Sequence, residues 1–206
     1  MAAAERLFAE QGLSAVSSRQ IGQAAGQGNV TAVSYHFTSK AGLVRAMLCK
    51  HGEQVDRIRQ RHLEAVGDST DIRDWVGCLV RPVPEHLASL GTPSWQARFA
   101  VHVMTDPLTC AITIDEALVR TSLGRTLDGL GRCLDALPAS VRAERSDMAR
   151  LLITHTCAER ERALAEGTRP RHASWDHLAD SLTDAVVGLF TAPVTSPHNP
   201  VGENRT

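Results

Sequence analysis

Between Ser17 and Leu43 the chain reads SSRQIGQAAGQGNVTAVSYHFTSKAGL. Two short helical patterns flank a glycine-rich turn. Helices this short do not hold in water alone, because nucleation costs more than a turn or two of hydrogen bonds returns. They must pack on each other and on a neighbour. Two patterns are at hand, a short one over 2–11 and a long one over 40–66.

The local chemistry supports that reading. Ser17 caps the helix over 18–25, and Gln20 completes a capping box. Ile21, Ala24 and Ala25 share one face, where small alanines let a second helix come close. Gly26 suits the turn, and Asn29 caps the next helix over 31–37. That helix buries Val33 and Phe37. Two short helices joined by a tight glycine turn describe a helix-turn-helix.

Helical periodicity continues along the chain, and strict alternation of apolar and polar residues is absent. Segments are predicted at 71–90, 94–105, 111–136, 140–165 and 175–191. Pro82 and Pro84 remove amide donors and predict a kink or break in the first of these. Residues 192–206 are rich in proline and poor in apolar side chains, which predicts a disordered tail. The fold expected is all-α. A unit of three helices over 1–48 precedes a helical unit over 49–191. With 206 residues, 43% of them hydrophobic, the chain can bury a sizeable core.

Net charge is −1, but it is unevenly placed. In residues 1–50, Arg6, Arg19, Lys40, Arg45 and Lys50 face only Glu5 and Glu10. The rest of the chain is acidic in balance, giving a basic head on an acidic body. Cys49, Cys78, Cys110, Cys133 and Cys157 are scattered and odd in number, so reduced thiols and a cytoplasmic location are expected. No apolar run is long enough to span a bilayer, so no membrane partner is expected. No Ser-His-Asp order, metal cluster or phosphate loop stands out. Hence no catalytic residue, metal ligand or cofactor is expected, and the chain is not read as an enzyme.

Residues 4–48 resemble the DNA-binding domain of the tetracycline-repressor (TetR) family of bacterial regulators. The resemblance lies in Leu7-Phe8-Ala9-Glu10-Gln11-Gly12, then Ile21 to Gly26, then Tyr35-His36-Phe37-Thr38-Ser39-Lys40 and Leu43. The turn Ala25–Asn29 is one residue longer than the common form. The resemblance implies a recognition helix in the major groove, with Tyr35, His36 and Lys40 on phosphates. Asn29, Thr31 and Ser34 suit base edges, and Ala32 suits a thymine methyl. The hydroxyls of Ser17 and Ser18 suit phosphate oxygens.

The resemblance further implies DNA binding for the unit over 1–48 and ligand binding and dimerisation for the unit over 49–191, with a small-molecule effector and a homodimer on palindromic double-stranded DNA. Candidate pocket residues are Trp75, Leu79, Trp95, Phe99, His102, Val103, Met104 and Ser122. Their largely apolar character predicts a mainly apolar ligand. On the last helix Trp175, Leu178, Leu182, Val186 and Leu189 form a stripe, and Leu151, Leu152 and His155 form another on the helix before it. Both are expected at a four-helix dimer interface. The function expected is a repressor released from its operator by the ligand. The alternative is a ligand-independent DNA-binding adaptor or nucleoid-type protein.

Overall fold

The computed structural model describes residues 1–26, 39–118 and 120–194. Among these there are helices and no strand: α1 (Ala2–Gln11), α2 (Ser18–Ala24), α3 (Lys40–Val66), α4 (Ile72–Val80), α5 (Pro82–Leu90), α6 (Gln96–Thr105), α7 (Pro107–Leu118), α8 (Thr121–Cys133), α9 (Ala139–Ala165) and α10 (Trp175–Thr191). The tail beyond 194 and the helix expected over 31–37 lie outside the described residues.

Local signals set most of the boundaries. Ser17 Oγ accepts from the Gln20 amide at 3.3 Å while Gln20 Oε1 accepts from the Ser17 amide at 2.8 Å, the expected capping box. Ser39 caps α3 by accepting from the Gly42 amide at 3.0 Å. The break expected within 71–90 is present: the pattern divides into α4 and α5, with Pro82 at the first position of α5, where a missing N–H costs nothing. One expectation is corrected, because the pattern over 111–136 also divides. Pro107 opens α7 behind Asp106, whose Oδ1 accepts from the Thr109 amide at 3.1 Å, and Arg120 is extended ahead of α8.

Apolar side chains gather in two clusters. The first joins α4, α8, α9 and α10 around Trp75, Val76, Leu130, Ile153, Leu178 and Phe190. Gly129 makes this packing possible, because a Cβ there would fall 2.2 Å from the Trp75 ring. The second gathers Leu7, Phe8, Val16, Ile21, Leu43 and Met47 from α1 to α3, and it is completed by Phe99 and Val103 of α6. A body helix thus supplies part of the core beneath the helix-turn-helix. Glu161 of α9 pins that body helix in place. Its buried carboxylate accepts from the Ala97 and Arg98 amides at 3.1 and 3.0 Å, and from Ser94 Oγ at 2.9 Å. A carboxylate at a helix N-terminus satisfies donors the helix cannot and complements its dipole.

Candidate functional site

Of the residues expected to meet DNA, Ser17, Ser18 and Lys40 are described, and Asn29, Thr31, Ala32, Ser34, Tyr35 and His36 lie outside the described residues. Ser17 and Ser18 are exposed at the start of α2. Lys40 also has partners within the protein. Its ammonium donates to the carbonyls of Leu13 and, at 2.9 Å, Val16, and it lies over the Phe8 ring. It ties the α1–α2 connection to the first residue of α3.

Below this head lies a cavity of about 530 Å³. The α3 contribution is a single stripe, Leu48, His51, Gly52, Val55 and Arg59, at the spacing that puts side chains on one face. Leu79, Val83, His86 and Leu87 come from α4 and α5, Ala100, Val103 and Met104 from α6, and Leu123, Leu127 and Leu130 from α8. Ser146 and Asp147 of α9, both exposed, also line it.

Of the pocket candidates, Leu79, Val103 and Met104 line this cavity. The others sit elsewhere. Trp75 is core, with its indole N–H donated to the Ser69 carbonyl at 2.8 Å. Trp95 and Phe99 pack in the cluster under the head. Ser122 is buried and donates to Asp56. His102 faces Gly12 and lines a separate, polar cleft with Glu10, Arg98, His155 and Glu159.

A buried polar chain runs from the head to the cavity wall. Glu5 of α1 lies 3.0 Å from His51 Nε2, and His51 Nδ1 lies 2.8 Å from His86 Nε2. With Glu5 as a carboxylate, His51 Nε2 is the donor to it, and the short His51–His86 contact needs one of its two nitrogens to carry the proton. Burial first, and then the neighbouring His51, pushes the His86 pKa down to about 4, so this ring is neutral near pH 7. Sequence reading missed Glu5, His51, His86, Arg59 and Arg120. The stripe from Leu48 to Arg59 was the available signal.

The stripe expected at an interface on α10 faces largely inward in the protomer. Leu178, Leu182 and Val186 are buried in the protomer's own core, and Trp175 and Leu189 are only partly covered. On α9, Leu151 and Leu152 are 44% and 37% exposed, beside Met148 at 52% and an exposed His155. The described residues contain no helix long and apolar enough to cross a membrane, and no group of three or more side chains suited to a metal ion.

Residues 1–47 match the family model for bacterial regulatory proteins, tetR family. No curated protein matches the chain. The match covers α1, α2 and the start of α3, the elements that carry the capping box and the Lys40 clamp. Residues 1–47 are thus similar to the DNA-binding domain of bacterial regulatory proteins of the tetR family, which supports a DNA-binding transcriptional regulator.

Proposed function

We propose that the protein is a repressor that binds a palindromic operator as a homodimer and leaves it when a small, mainly apolar molecule occupies the cavity. One observation carries this reading. The helix that begins at Lys40 in the matched domain also forms a wall of the cavity, at Leu48, Gly52, Val55 and Arg59. A ligand that favours one setting of this wall acts on the helix that carries the head. Coupling of about 1–3 kcal/mol is enough to change DNA affinity by roughly 5- to 150-fold. A cavity of this size supports a ligand-responsive regulator over a ligand-independent adaptor.

The homodimer rests on the exposed apolar side chains Met148, Leu151 and Leu152. An isologous pairing through α9 would present two heads to two half-sites roughly 34–36 Å apart.

The test is capture of genomic DNA fragments by the purified protein, followed by footprinting with a library of small organic compounds. The expected result is a protected palindrome that is lost with some apolar compounds. Ala100→Trp, which fills the cavity, should keep operator binding and lose release. Binding without sequence preference would overturn the operator, and release unaffected by Ala100→Trp would overturn the cavity.

A further inference from the structure

Much of the cavity lining is apolar, and two of its arginines stand where α3 meets the start of α8. Arg59 is 6% exposed, and its Nε donates to the Cys78 carbonyl at 3.2 Å. Arg120 reaches across from the other side. Its Nη2 lies 3.4 Å from the Cys49 carbonyl, and its guanidinium rests on the α3 backbone at Gly52. A Cβ at Gly52 would stand 2.7 Å from Nη2 and 2.9 Å from Cζ, so the glycine is what lets the guanidinium lie there.

Neither arginine belongs to an ion pair among the described residues. Asp56 is the nearby carboxylate, and it accepts from Ser122. Asp147, also in the lining, is paired with Arg150 at 3.4 Å. Among the described residues, the lining thus carries the guanidiniums of Arg59, Arg120 and Arg150 against the carboxylate of Asp147. Burial pulls the Arg59 guanidinium below its ordinary range, against the attraction of Asp56. A buried cation in apolar surroundings is costly unless an anion meets it, and a planar fork suits a carboxylate or similar acid.

Resting on the reading of this cavity as the effector site, we propose that the effector is an amphipathic organic anion. Its acidic group meets Arg59 and Arg120, and its apolar body lies against Val103, Met104, Leu123 and Leu127. This places the polar end of the ligand on α3, the helix that carries the head.

Two fluorescent probes with one ring system test the proposal on the full chain. 1-Anilinonaphthalene-8-sulfonate is an amphipathic anion, and N-phenyl-1-naphthylamine lacks the sulfonate. The sulfonate should bind on the order of 10- to 100-fold more tightly. Arg120→Gln should abolish that preference and leave the affinity for the neutral probe unchanged. Gly52→Ala should act in the same direction by displacing the end of the Arg120 side chain, and it decides the matter if Arg120→Gln fails to fold. Equal affinities for the two probes, or a preference that survives in the folded variants, would overturn the anion while leaving the cavity reading intact. If neither probe binds, or if Ala100→Trp binds both as well as the parent protein, the cavity reading itself fails and takes the proposal with it.

Discussion

Phe8 of α1 stacks on Phe99 of α6, with ring centroids 6.1 Å apart and 24° between planes. Both rings are fully buried, and the pair joins the matched domain to a helix of the cavity wall. Phe99→Ala should cost about 3–5 kcal/mol through the lost area and the void left behind. Urea unfolding with and without the variant measures this. A cost below about 1 kcal/mol would mean that the two rings do not share a well-packed core.

Lys40 is held by two carbonyls of the α1–α2 connection. Lys40→Met should therefore lower stability by about 1–3 kcal/mol, because hydrogen bonds from a charged donor are lost. It should also weaken binding to every DNA sequence. A lysine acting on phosphate alone would leave the unfolding midpoint unchanged, so thermal melts and salt-dependent DNA binding together distinguish the two roles.

Leu151→Glu with Leu152→Glu should yield a folded monomer, since both side chains are exposed on the protomer. Leu182→Glu should instead unfold the protein, because that side chain is 3% exposed in the body core. Sedimentation and circular dichroism separate the outcomes. A dimer that survives the double change on α9 would move the interface to another face.

His86 makes stability depend on pH in a defined direction. Its pKa falls from the ordinary 6.5 to about 4 in the folded chain, chiefly through burial. Between those values the unfolded chain binds the proton and the folded chain does not. Stability is therefore lost as pH falls from 6.5 to 4, with no further loss from this group below that. Thermal midpoints over this range should fall less steeply in His86→Gln than in the parent. Parallel curves for the two proteins would contradict this.

Much of the head could be read in advance because its signals are local. A capping serine, a glutamine three residues on and a glycine turn act on the backbone next to them. The stripe Leu178, Leu182, Val186 shows where that reading stops. Periodicity reveals that one face of α10 is buried, but not whether its own protomer or a second copy covers it. Here α4 and α5 cover it. Phe99 and Trp95 posed the same question, and their partners lie in α1 and its neighbours, far away in sequence. Arg59 and Arg120 are 61 positions apart and meet only through the route of the chain between them. A lone arginine in a helix reads as a solvated charge until the fold buries it.

Helix α3 spans 27 residues, about 40 Å of rod at 1.5 Å per residue. Gly52, under the Arg120 guanidinium, lies 12 positions from Lys40, or about 18 Å along the axis. A tilt of about 6° pivoting near Gly52 would displace the Lys40 end by about 2 Å. Hydrogen bonds to base edges tolerate only a few tenths of an ångström. On the proposed reading the geometry would act as mechanical gearing: a sideways shift smaller than a bond length, made on the short arm beside Gly52, would become at Lys40 a movement larger than DNA recognition can absorb.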